Sequence, residues 1–373
     1  MKSKKTLNNK TGTLVVLGAG ASIGSSLVDT RERNDIFANK MPSGINFFYD
    51  VFAKHDNNGN FTLGLNYLDF FHEGLNRLIV DTWGLKHNKY HFNLNEWKNI
   101  NIEDVFTYLD IGTQMYHKGT KYNKGFESCR DGLKEFISLY LTIKSDGYYC
   151  EYLSRILKEL NPDDSIISFN WDTIADYTIQ YAKSPIFNQY INLMKEEKIR
   201  IYKYRVLPIL LKLHGSLNWY VCPNPNCSNS DKPRLCINKY ELENILNPQK
   251  CPICGNERCE QYIIPPTSRK VIRPNSFLHK LWLIARYKLC LCRQIIFIGY
   301  SFPSTDFYSE WLFRQIYYVV GGLPDIIIVN PEITKKNSLV SRRYETIFHG
   351  CNFYKYSTLK NFIEDGLFHL LNT

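Results

Sequence analysis

An α/β chain built on a doubly wound parallel sheet is predicted by three observations: short unbroken apolar runs, helical periodicity between them, and turn or polar residues directly after each run. The runs are 13–17, 165–169, 207–213, 294–298 and 325–329. None alternates apolar with polar, the pattern of strands buried on both faces. In such a sheet ligands bind at the carboxyl ends of the strands.

The segments between the runs read as helices. Ile102, Val105, Phe106 and Leu109 follow the i, i+3, i+4, i+7 spacing. Tyr152, Leu153, Ile156 and Leu160 follow it approximately, and Asn161-Pro162 ends that helix before the next strand. Residues 45–150 carry helical periodicity without a convincing buried strand and are predicted to be a helical insertion. Residues 221–262 hold a cysteine cluster among turn formers and form a small module of their own. Residues 1–11 make a flexible basic N-terminus, 12–345 the sheet domain, and 346–373 a helical tail.

With 373 residues, 44% hydrophobic and 22% charged, the chain is long and apolar enough for a sizeable core, rich in its 26 Tyr and 22 Phe. There are 46 Lys and Arg against 36 Asp and Glu, a net charge of +10. The charges are scattered, so a solvated basic exterior explains them, although nucleic acid, acidic lipids or a phosphate-bearing ligand also suit the sign. No apolar run reaches the ~18 residues of a membrane span, and no apolar signal core follows the N-terminus, which predicts a cytoplasmic protein with no membrane contact. The cysteines number 11, six of them between 222 and 259, as expected of local metal chemistry in a reducing compartment.

Chemistry-bearing residues fall at the run ends. Gly18-Ala19-Gly20-Ala21-Ser22 follows the first run, where glycines let the backbone approach a pyrophosphate, or simply make a tight turn. Its Gly18-x-Gly20-x-x-x-Gly24 spacing is not the usual dinucleotide fingerprint. Asn170 and Asp172 follow the second run, suited to ribose hydroxyls, to a positioned water, or to capping a helix. His214 in Lys212-Leu213-His214-Gly215-Ser216 can take a proton near neutral pH, or serve as a structural histidine. Gly299 and Ser301 admit adenosine beside Asp306, and Asn330 reaches its ribose; loop capping is the alternative for each.

The cysteines carry the most specific signal. Cys222 and Cys227 form one short-spaced pair, Cys251 and Cys254 a second, and 23 residues separate the pairs. That is near the spacing of a zinc ribbon, and four thiolates leave no open coordination position, so the metal is structural. Cys236 and Cys259 are possible substitutes in the ligand set.

In this order the motifs resemble the sirtuin superfamily, a Rossmann-like fold. Gly18 to Ser22 looks like its nucleotide-binding turn, Asn170-x-Asp172 like its catalytic segment, and His214-Gly215-Ser216 like its catalytic histidine motif. The cysteine pairs follow the histidine as the family's zinc module does. Gly299-Tyr300-Ser301 and Val329-Asn330 look like its adenosine-contacting segments. Two departures separate the chain from the protein deacylases: no Gly-Ile-Pro-Asp-Phe-Arg stretch follows Ser22, and Ile263-Ile264-Pro265-Pro266-Thr267 stands where their acyl-peptide groove lies. Ile102-Glu103-Asp104-Val105-Phe106, Phe169 to Thr173 and Gly299 to Asp306 instead resemble the sirtuin-like NAD hydrolases of bacterial anti-phage defence.

That resemblance implies an NAD glycohydrolase releasing nicotinamide and ADP-ribose, with Asn170 on ribose or the attacking water, His214 as base and Asp172 holding ribose or the Asn170 loop. It also implies depletion of cellular NAD as an antiviral output, activity within a homo-oligomer, and pairing in some systems with a HerA-type ATPase. Two other functions compete: an NAD-dependent protein deacylase, and a non-catalytic nucleotide sensor or nucleic-acid-binding module.

Overall fold

The computed structural model describes residues 12–24, 26–29, 41–44, 46–52, 74–85, 87–88, 91–92, 94–161, 163–236, 250–256, 258–265, 267, 272–319 and 321–366. The basic N-terminus 1–11 lies outside them.

Six strands form the central sheet: β1 (Thr13–Leu17), β2 (Ser165–Ser168), β3 (Leu210–Lys212), β4 (Gln294–Ile298), β5 (Asp325–Val329) and β6 (Phe353–Tyr356). Their spatial order is β6-β5-β4-β1-β2-β3, and every pairing is parallel. The direction of winding therefore reverses between β1 and β4. Helices lie between successive strands in the chain, among them Ile174–Tyr181 and Pro185–Lys195 before β3 and Phe277–Leu291 before β4. The five predicted runs supply β1 to β5. Val15, Ile166, Ile167, Ile295, Ile296, Ile326 and Ile327 are wholly buried, each contributing about 1.5–3 kcal/mol through burial.

The expected helical tail from 346 is corrected by β6, which extends the sheet to residue 356. Its Phe-Tyr-Lys-Tyr sequence is half-exposed at the sheet edge, so it lacks the apolar run that marks the inner strands. Lys355 donates there to Glu345 at 2.8 Å, a charge that discourages edge pairing. After β6 come the short turn Leu359–Asn361 and one π-turn, Phe362–Gly366.

Beyond β3 the chain passes through Leu213 and His214 into a three-stranded antiparallel sheet. Gly215–Val221 is its centre, between Arg234–Leu235 and Glu260–Ile263. The cysteine module sits on this sheet.

The chain divides into two compact units, the second made of 40–144 and 265–270. Its helices Phe47–Phe52, Leu75–Trp83 and Ile102–Met115, with most of Lys121–Ser145, surround an aromatic core. Phe52 meets Trp97 edge-on at 5.0 Å, and Phe47 meets Tyr140 at 5.7 Å. Asn101 caps Ile102–Met115 by accepting from the Glu103 amide at 3.0 Å. The helical insertion predicted over 45–150 is shorter at its end than expected, because Tyr148–Cys150 is a buried strand paired antiparallel with Leu27–Asp29 in the first unit. Three residues are too few to register as a period.

Among the described residues no helix is long and apolar enough to cross a membrane.

Candidate functional site

β1 runs into the glycine turn, and β4 runs into a second one. The Gly18 amide donates to Ile298 O at 3.0 Å, and the Gly20 amide to Gly299 O at 2.9 Å. The turns interlock so closely that a Cβ on Gly20 would stand 2.7 Å from the Gly299 Cα. At Gly299 the backbone is left-handed, φ +61°, and a Cβ would lie 2.2 Å from the Ala21 nitrogen. These glycines are required by backbone packing at the carboxyl ends of β1 and β4. Ala19 and Ser301 are exposed on their turns.

Asn170 and Asp172, two and four residues beyond the end of β2, fasten to the first turn. Asn170 Nδ2 donates to Gly18 O at 2.9 Å and to Ser22 Oγ at 3.1 Å. Ser22 Oγ in turn donates to Asp172 Oδ2 at 2.8 Å. Asp172 Oδ1 accepts from the Ile174 amide at 3.1 Å, so this carboxylate organises the loop and starts the helix Ile174–Tyr181. Burial pushes the Asp172 carboxyl up, while Lys212, Ser22 and the Ile174 amide pull it back. A narrow cleft of about 10 Å³, room for roughly one water, is lined by Ser22, Asn170 and Asp172 together with Cys150, Leu153 and Leu359.

Lys212 ends β3 beneath this loop. Its ammonium donates to Asp172 O at 2.6 Å and to Asp176 Oδ2 at 2.8 Å. Asp176 Oδ1 also accepts from Tyr190 and Asn218, at 2.8 and 3.0 Å. The charges are buried but paired and hydrogen-bonded, the condition under which a low-dielectric site tolerates them.

His214 is buried, with Nε2 at 3.2 Å from Asp306 Oδ2. The same oxygen accepts from Tyr300 Oη at 2.8 Å. Burial, then the charge of Asp306, raises the Tyr300 hydroxyl well above its ordinary range, so it stays a neutral donor. Phe169 stacks on Tyr300 at 4.6 Å and meets the His214 ring edge-on at 5.0 Å. Thus the residue before Asn170 packs on both His214 and Tyr300. Gly215, φ +77°, turns the chain where a Cβ would collide with Tyr262 O at 2.0 Å, and the Ile264 amide donates to His214 O at 2.8 Å.

Asn330 follows Val329, whose carbonyl accepts from the Gly299 amide at 2.8 Å. Its Oδ1 accepts from the Glu332 amide at 2.9 Å and its own amide donates to Tyr356 O, a loop-capping role after β5.

Cys222, Cys227, Cys251 and Cys254 place their sulfurs within 4.8 Å of one another. The Cys222–Cys254 and Cys227–Cys251 separations are 3.5 and 3.7 Å. Thiolates about 2.3 Å from a tetrahedral zinc stand roughly 3.8 Å apart, so the set fits a zinc ion. Amides of Cys254 and Ile253 bring the Cys251 thiol down to about 6, and burial pushes Cys222 up to about 12. Asn229 N donates to Cys227 Sγ at 3.5 Å, the kind of outer bond that orients thiolate ligands. Cys259 is buried with Cys222, Cys227 and Cys251, and Cys236 lies outside the group of four. Four protein ligands would close the coordination sphere of a bound ion and leave no open position.

Sequence reasoning passed over Asp176 and Asn218, and read Tyr300 only as part of an adenosine-contacting segment, not as a partner of Asp306. A lysine inside the apolar run 207–213 is the one local sign of a buried ion pair; its partner 36 residues away is set by topology. No protein-family model matches the chain, and no curated protein matches it.

Proposed function

We propose that the protein is an NAD glycohydrolase that cleaves the nicotinamide–ribose bond with water. The observation that carries this reading is the convergence of Asn170, Ser22 and Asp172 on the Gly18 turn, where the strand order reverses. The order is that of dinucleotide-binding sheets, whose ligands lie at that reversal. The motif order that resembles the sirtuin-like NAD hydrolases supports the same substrate.

In the reaction the C1′–N bond breaks, its electron pair leaves with nicotinamide, and water attacks the oxocarbenium-like carbon. Asn170 Oδ1 accepts no hydrogen bond among the described residues, so it is available to ribose or to that water while Nδ2 fixes the side chain to the turn. His214 takes the proton released when water adds, through a ribose hydroxyl. Asp172 holds the loop. Zinc, where bound, braces the sheet that begins at Gly215.

An NAD-depleting defence effector must be held off until triggered, and the resemblance to the sirtuin-like NAD hydrolases implies release through self-assembly or a partner such as a HerA-type ATPase.

The test is nicotinamide and ADP-ribose release from NAD at several protein concentrations, alone and with phage lysate, DNA or the ATPase partner. Release should fall by about 10²-fold or more in Asn170→Ala and His214→Ala while both stay folded. Unchanged release in either variant removes that residue from the mechanism. Nicotinamide release only with an acetylated peptide would establish the deacylase, and NAD binding without turnover under every condition the sensor.

A further inference from the structure

We propose that Asp306 is the positioning partner of His214, and that Tyr300 in turn holds Asp306; the role rests on the reading of His214 as the base of NAD hydrolysis. The sequence assigns Asp306 to nucleotide contact. Its side chain is instead wholly buried, and His214 is only 5% exposed. A buried carboxylate persists where donors satisfy it. Here two donors converge on one oxygen, Oδ2: His214 Nε2 at 3.2 Å and Tyr300 Oη at 2.8 Å.

A carboxylate can only accept, so this contact puts the proton of the neutral imidazole on Nε2. The geometry also fixes the ring plane. Phe169 packs edge-on against His214 and face-on against Tyr300, so neither ring turns without displacing the residue that precedes Asn170.

Asp306 is anchored through its main chain as well. Its amide donates to Pro303 O at 3.0 Å, and its carbonyl accepts from Ser309 Oγ at 2.7 Å. Ser309 Oγ lies 2.6 Å from Tyr300 Oη, which closes a ring of contacts around the carboxylate. With its Oδ2 already engaged by His214 and Tyr300, Asp306 orients the base.

Two readouts on the full chain test the assignment. Long-range ¹H–¹⁵N spectra, with the His214 signal identified by its loss in His214→Ala, report the neutral tautomer. The expected wild-type result is a proton on Nε2, and Asp306→Asn should lose that preference. In NAD turnover, Asp306→Asn should lower kcat by about 10²-fold or more, with KM within about threefold. Asp306→Glu should recover part of the loss, and Tyr300→Phe should lower kcat by roughly tenfold, for which the fold-change follows one lost hydrogen bond.

A raised KM with kcat unchanged would mean nucleotide contact and overturn the proposal. So would a wild-type His214 protonated on Nδ1, which is readable even if Asp306→Asn does not fold. A wild type with the Nε2 tautomer and no NAD release under any condition would sink the hydrolase reading while leaving the pair standing.

Discussion

Lys212 Nζ lies 2.8 Å from Asp176 Oδ2 with both side chains shut away from solvent, and the same ammonium holds Asp172 O at 2.6 Å. One buried cation therefore ties the Asn170–Asp172 loop to the end of β3. Removing it strands Asp176 with two neutral donors, Tyr190 and Asn218. Lys212→Met should cost about 3–5 kcal/mol, the range for breaking a buried pair from one side. Adding Asp176→Asn should restore part of that loss, because no unpaired charge remains. Urea unfolding of the two single variants and the double variant measures the coupling; additive losses would show that the pair is not linked.

The inner strands were legible because burial on both faces writes itself as an unbroken apolar run, as in Ile295-Ile296-Phe297-Ile298. β6 was not, since an edge strand with Tyr354 and Lys355 exposed has no such run. The cysteine module was legible for a local reason: each pair is close in sequence, and the proximity of the four sulfurs follows from two turns meeting. The glycines were only half legible. Gly20 and Gly299 mark the right strand ends, but their space is filled by each other's backbone. Asp306 illustrates the remainder, because its bond to His214 joins two loops that only the strand order brings together.

The cysteine geometry makes a ligand-by-ligand prediction. Elemental analysis of purified protein should find one zinc per chain, lost in Cys222→Ser and in Cys251→Ser. Cys236→Ser and Cys259→Ser should each retain it, since neither sulfur belongs to the group of four. Chelation should lower the melting temperature, because the strand Gly215–Val221 joins Cys222 directly to the His214 turn and binding energy at a structural zinc site is folding energy. Zinc retained in Cys222→Ser but lost in Cys259→Ser would exchange those two ligands.

Lys288 gives stability a pH dependence of defined sign. Its side chain is buried on Phe277–Leu291, and Nζ donates to Leu207 O at 2.6 Å. Burial lowers the ammonium to about 8 from its ordinary 10.5, with Asp163 and Asp164 opposing the shift. Below pH 8 both folded and unfolded chains carry the proton, so the full destabilisation is present. Between about 8 and 10.5 the unfolded chain holds a proton that the folded one has shed, and stability contributed by this residue rises with pH. Lys288→Met has no such proton, and the buried tyrosines that titrate at higher pH are common to both proteins. The stability of wild type relative to Lys288→Met should therefore increase by about 2 kcal/mol from pH 7.5 to 10, given 1.36 kcal/mol per unit. Denaturant melts of both proteins across that window measure the difference, and a constant difference would mean that Lys288 titrates alike in the folded and unfolded chain.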